Sequence, residues 1–157
     1  MSVRAAADAD VEAMVALSEQ FRARLQTLSP VFWRKAADSA EKHAVWFRIL
    51  LTADGTFALV HDGADAIDGF IIGRMTPAPP VYAPGGPICL VDDFCVSEDD
   101  GDWTHTGRAL LEATEGLARE RGAVLSVVVC PHLGGAKREF LASLGFAPTS
   151  EWHVRAL

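Results

Sequence analysis

Between Ile88 and Arg121 the hydrophobic pattern changes period once, and that change limits the folds open to the chain. Ile88–Val96 is an apolar run of strand length. Asp99–Trp103 is polar and contains Gly101, so it reads as a loop. Thr106–Arg121 then places Leu110, Ala113, Thr114, Leu117 and Ala118 on one helical face, and Arg121-Gly122 is a helix stop. Ala123–Cys130 follows as a nearly continuous apolar run, which predicts a strand covered on both faces. A strand, a loop, a helix and a buried strand in succession require a sheet with helices packed over it.

The flanking segments supply the missing parts. Asp8 or Asp10 is placed to cap a helix, and Val11, Met14, Val15, Leu17, Ser18, Phe21 and Leu25 give Asp10–Leu25 an apolar stripe. Ser29-Pro30 breaks it. Val31–Leu51 reads as a second helical region, broken near Asp38, with Phe32, Trp33, Trp46, Phe47 and Leu50 as apolar anchors. Phe57–His61 and Ile67–Met75 are strand-like and are separated by the turn signal Asp62-Gly63. Thr76–Pro87 holds five of the eight prolines and is a loop. Gly135–Leu144 is a short helix closed by Gly145, and Trp152–Leu157 is expected as a last strand. The expectation is a single α/β domain over residues 1–157, in three layers, with a central mixed sheet of about six strands and helices on both faces.

Composition removes several classes of function. The formal net charge of −7 argues against general nucleic-acid binding, which needs a basic face, and suits a cationic small substrate. No apolar run is long enough to span a membrane, and Met1–Ala7 has no leader-like stretch, so a cytoplasmic protein is expected. Cys89, Cys95 and Cys130 are too few for a framework of paired bridges and read as reduced, buried thiols. His43, His61 and His153 lack metal-ligand spacing, so no metal is expected.

Three segments at consistent separations carry a family resemblance. The strand Val91-Asp92-Asp93-Phe94-Cys95-Val96, the helix start Gly107-Arg108-Ala109-Leu110-Leu111, and Phe140-Leu141 with Leu144-Gly145-Phe146 are together similar to the GNAT superfamily of acyl-CoA-dependent N-acyltransferases. The resemblance is carried by Leu90–Phe146 and extends more weakly over the rest. It implies acetyl-CoA as co-substrate, with Phe94, Cys95 and Val96 presenting backbone groups to the pantetheine arm. Trp103, Thr104, His105, Thr106, Gly107 and Arg108 would lie at the pyrophosphate. A helix N-terminus with unpaired N–H groups and a positive dipole end is suited to such an anion. Trp103 either lies against the cofactor or staples the helix start. The implied acceptor is an amine of a small molecule or peptide, and a homodimer is compatible with the family.

The sequence also departs from that pattern. The family loop carries a cation or amide and two small residues, whereas Asp102-Trp103-Thr104-His105-Thr106-Gly107 keeps only the last glycine. Glu98, Asp99 and Asp100 precede it, acids that either cap the helix or oppose a pyrophosphate. Leu141 stands where many members have a tyrosine that protonates the departing thiolate, and the single tyrosine is Tyr82. Gly134 stands where an asparagine is frequent. Because a free thiol has a pKa near 8.5, a thiolate can leave without a dedicated acid. A degenerate loop and a missing tyrosine keep open a protein that binds acyl-CoA without transferring it, or a dimerising module.

Candidate chemistry falls on a few side chains. An amine attacks a thioester only when neutral, so a base is required. Asp92 and Asp93 are the candidates; strict alternation would turn only one of them to a given cleft, and the resemblance favours Asp92. His132, after the buried strand and Pro131, is a second acid–base candidate. Trp33, Trp46 and Tyr82 are expected to wall the acceptor pocket. Cys95 and Cys130 show no Cys–His–acid pattern that would make either a nucleophile.

Overall fold

The structure is a computed structural model that describes residues 2–97 and 103–157. Its elements in chain order are β1 (Val3–Ala5), α1 (Val11–Leu28), α2 (Ser39–Thr52), β2 (Thr56–Asp62), β3 (Ile67–Thr76), β4 (Ile88–Val96), α3 (Arg108–Glu120), β5 (Leu125–Val128) and α4 (Gly135–Ser143). A π-helical turn, Trp103–Gly107, leads into α3. The sheet runs in chain order from β1 to β5; its first four strands form an antiparallel meander and β5 joins β4 in parallel.

Helices cover both faces, as the alternation of the inner strands requires. On one side α1 and α2 bury Val11, Met14, Phe47 and Leu50 against Val60, Phe70, Ile72 and Cys95. On the other, α3 and α4 bury Leu110, Leu111 and Phe140 against Leu59, Ile71, Val91, Phe94 and Val96. Removing these side chains from water supplies the main driving force, about 25 cal/mol per Å² of apolar surface. The two glycine stops read from the sequence work as expected. Gly122 (φ +82°) and Gly145 (φ +85°) take the left-handed conformation that closes α3 and α4. The next residues, Ala123 and Phe146, donate back to Ala118 and Leu141 at 2.9 and 3.1 Å.

Glycines in β3 set how closely α3 can approach. A Cβ at Gly69 would lie 2.7 Å from the Thr106 methyl, and one at Gly73 would lie 2.7 Å from the Thr114 methyl. Those threonine side chains occupy the groove the glycines leave.

Three expectations are corrected. Val31–Leu51 is helical only from Ser39, because the segment after Ser29-Pro30 stays irregular up to the turn before α2. Trp152–Leu157 is not a strand: residues 144–157 are irregular and Trp152 is 81 % exposed, leaving five strands among the described residues. As a consequence the run Ala123–Cys130 is not covered on both faces. Only Leu125–Val128 is strand, β4 is its one strand neighbour, and Leu125, Val127 and Val129 are exposed.

Replacing Gly73 by Ala should lower stability by about 1–3 kcal/mol through overpacking. Thr114→Ser in the same chain removes the clashing methyl and should recover part of that loss in urea unfolding. Equal loss in the single and double variants would show that the α3–β3 contact is not the constraint.

Candidate functional site

The centre of the site is the place where two parallel strands part. β4 and β5 pair from Ile88 opposite Leu125 to Val91 opposite Val128, and Val129 N–H donates to Val91 O at 2.8 Å. β5 ends there, while β4 continues to Val96. The peptide groups of Asp92–Val96 on that edge have no strand neighbour, a backbone edge that an amide-bearing chain can bond.

A bulge coincides with the parting. Ile71 pairs with Phe94 and Gly73 with Val91, so Asp92 and Asp93 together stand opposite the single residue Ile72. Cys89 and Val91 join the α3 side of the core before the bulge, and Phe94 and Val96 join the same side after it. Strict alternation therefore fails at the two residues to which the sequence reading applied it. Asp92 is exposed, whereas Asp93 is half-buried with a carboxylate oxygen 3.3 Å from His43 Nε2. Arg22 donates from Nη2 to His43 Nδ1. A guanidinium only donates, so Nδ1 is the acceptor in this contact and Nε2 is the ring nitrogen left on the side of the Asp93 carboxylate. Arg22 is held in turn by Glu19 at 2.9 Å, and Glu19 also accepts from Lys35 and Ser39 at 2.7 and 2.8 Å. Burial alone would raise the Glu19 carboxyl; the hydrogen bonds from Lys35, Ser39 and Arg22 outweigh it and bring the pKa down to about 2.

On the other side of the parted strands is Lys137. It lies in the first turn of α4, is 3 % exposed, and donates from Nζ to Phe94 O at 3.2 Å. Its Nζ is 5.2 Å from the ring centroid of Phe94 and 5.6 Å from those of Phe21 and Trp103. Burial pulls the pKa of Lys137 down; the neighbouring thiols Cys95 and Cys130 and the carboxylates Asp93 and Asp92 act in the opposite sense. Beside it lies a cavity of about 250 Å³ between the C-terminal half of α1, Trp103, and the segment from Pro131 to Lys137. Burial pushes the Cys95 thiol up to about 11 and raises Cys89 and Cys130, which suits inert thiols and not a nucleophile.

The expected cofactor residues are spread over this region with different exposures. Phe94, Cys95 and Val96 are buried on β4. Trp103 is buried against Phe94 and Phe140, with ring centroids 5.0 and 5.6 Å away. A Cβ at Gly107 would approach the Trp103 ring to 3.0 Å, so this glycine makes room for an indole. Of the two roles weighed for Trp103, stapling the helix start fits this packing. Thr104, His105 and Arg108 are exposed at the start of α3. Thr106 is buried and donates to Asp68 at 3.4 Å; Asp68 is also 2.6 Å from His61 Nδ1. The acids Glu98, Asp99, Asp100 and Asp102 lie outside the described residues.

The other expected residues do not converge on the cavity. His132 is exposed, 3.4 Å from Glu151. Trp33 packs on Phe32, Trp46 is 42 % exposed on α2, and Tyr82 is 72 % exposed; none of the three lines the cavity. Lys137 and His43 were missed by sequence reasoning, although a signal existed for each. Lys137 falls three and four residues before Phe140 and Leu141, and His43 four before Phe47, so both occupy the buried stripe of their helices.

No protein-family model matches the sequence, and no curated protein matches it. Solved structures do match its fold. A tetramutant of the BH1408 protein from Bacillus halodurans has a TM-score of 0.86 at 17 % identity, over 100 % of both chains. A predicted acetyltransferase from Clostridium acetobutylicum, solved with acetyl-CoA, has a TM-score of 0.71 at 19 % identity, over 99 % of this chain and 95 % of that one. An aminoglycoside 6'-N-acetyltransferase from Acinetobacter haemolyticus has a TM-score of 0.72 at 14 % identity, over 100 % and 98 %. The chain has the α/β fold of the GNAT acetyltransferases.

Because Glu19 is more acidic in the folded chain than its ordinary 4.5, its contribution is present above that value and is lost as pH falls toward about 2. Glu19→Gln should therefore flatten the fall in melting temperature between these limits. An acid limb identical to wild type would show that this network does not hold α1 to α2.

Proposed function

We propose that the chain is an acyl-CoA-dependent N-acetyltransferase that moves an acetyl group to an amine of a small molecule or peptide by direct attack. The observation that carries this reading is the free edge of β4 beyond Val91, beside the start of α3. An acyl-CoA fits the residues present. The β4 edge beyond Val91, where Phe94 O already accepts from Lys137, offers other peptide groups that suit pantetheine amides, and exposed Thr104, His105 and Arg108 at the α3 N-terminus suit phosphates. Acetyl-CoA, when bound, supplies an activated acyl group as a thioester.

The chain's own residues would supply orientation and proton removal. Asp93 is the better base because its carboxylate lies on the α1–α2 side, 3.3 Å from His43 Nε2, where an acceptor amine can approach from outside the sheet. An amine with a pKa near 10.4 must lose a proton to become nucleophilic, and a carboxylate acting through water can accept it. Asp92, on the same bulge, is the secondary candidate. Departure of the thiolate requires no tyrosine at Leu141 if water protonates it.

A binder that holds acyl-CoA without transfer is favoured by the same Leu141 and by the indole filling the space at Gly107. Two measurements separate the readings. Calorimetric titration with acetyl-CoA should give saturable heat and a raised melting temperature; no binding would end both. Thiol release with an amine panel should fall about 10²- to 10⁴-fold in Asp93→Asn with acetyl-CoA binding retained. Release unchanged in Asp93→Asn and abolished in Asp92→Asn would transfer the role of base to Asp92.

A further inference from the structure

Lys137 is a buried cation with an incomplete environment. An ammonium has three donors. Among the described residues Lys137 has one hydrogen-bond acceptor, Phe94 O at 3.2 Å, and forms no ion pair. Asp93, the buried-side carboxylate nearest this region in sequence, is held by His43. Three aromatic rings offer the ammonium only a weak attraction at 5.2 to 5.6 Å. Burying a charge is costly, and burial disfavours the charged form here by more than Cys95, Cys130, Asp93 and Asp92 together favour it.

The adjoining cavity is shaped to supply the missing partner. Among its described lining residues is Lys137, which is 3 % exposed. The rest of the wall is largely apolar, with Phe21, Leu25, Leu28 and Leu133 among its side chains. Gly134, Gly135 and Ala136 form the wall at the N-terminus of α4, and no side chain caps that helix. Its first peptide N–H groups have no intrahelical acceptor and carry the positive end of the helix dipole. The helix start and the buried ammonium thus act on one volume.

We propose that this cavity is a carboxylate site, taking the acid group of a reactant with an apolar body and pairing it with Lys137 and the first peptide groups of α4. This deepens the transferase reading by naming a substrate class. The acid is carried either by the amine acceptor, as in a free amino acid, or by the acyl chain, as in a dicarboxylic half-thioester.

Calorimetry with matched probes tests both sources. Leucine is compared with leucinamide, on the free protein and on protein saturated with acetyl-CoA; succinyl-CoA is compared with acetyl-CoA. In one of the two pairs the acid-bearing member should bind at least about tenfold more tightly, the size expected of a hydrogen bond to a charged group. That preference should vanish in Lys137→Met. It should vanish also in Gly135→Asp, where a Cβ meets nothing within 4 Å, so that an acid is added at the cavity while Lys137 is kept. Gly135→Asp answers the question if Lys137→Met does not fold. Equal affinities in both pairs, or a preference that survives both substitutions, overturns the proposal. A leucine preference that depends on Lys137, with no binding of either thioester, would keep the carboxylate site and remove the transferase reading.

Discussion

The site depends on a single extra residue in β4. Between Val91 and Phe94 the strand advances three positions while β3 advances two, from Gly73 to Ile71. The parallel ladder with β5 ends at the same point. An extra residue in one strand disrupts the local ladder and strengthens the twist, so a bulge beside a parting of strands has a direct mechanical basis. The result is a backbone edge with no strand on it, inside a protein whose other inner strands are paired on both sides.

Two polar systems meet at that opening from opposite faces of the sheet. On the α1–α2 side, Lys35, Glu19, Arg22, His43 and Asp93 form a chain of contacts in which the imidazole stands between a guanidinium and a carboxylate. From the α4 side, Lys137 reaches the same strand with a carbonyl as its hydrogen-bond acceptor among the described residues and aromatic rings packed near its Nζ. The first system is nearly closed, since each member has its opposite. The second is open, and a buried ammonium with a neutral partner is the less stable arrangement in a low-dielectric interior.

Much of the architecture was legible because it rests on local rules. Helical spacing from Val11 to Leu25 and from Leu110 to Ala118, the glycine stops at Gly122 and Gly145, and the strand run Ile88–Val96 all hold. The misreadings come from segments whose state is decided by neighbours. Ala123–Cys130 has the composition of a buried strand, yet it borders a tail that does not pair with it. Trp103 shows the reverse: an indole in an acidic loop turns out to be packed between Phe94 and Phe140.

The sequence by itself determined the position of α1, α3 and β4 and the glycine ends of α3 and α4, because glycine conformation and hydrophobic period act within one segment. It also determined that the third helix follows a strand through a short loop, which is enough to suggest the fold. Only the tertiary structure decided that Asp92 and Asp93 share one bulge, that His43 stands beside Asp93, and that Lys137 is buried. Each of those facts depends on segments far apart in the chain meeting at one point. The burial of Lys137 requires Phe21 from α1, Phe94 from β4 and Trp103 from the turn before α3 to close around a side chain from α4. No period along one segment records such a meeting.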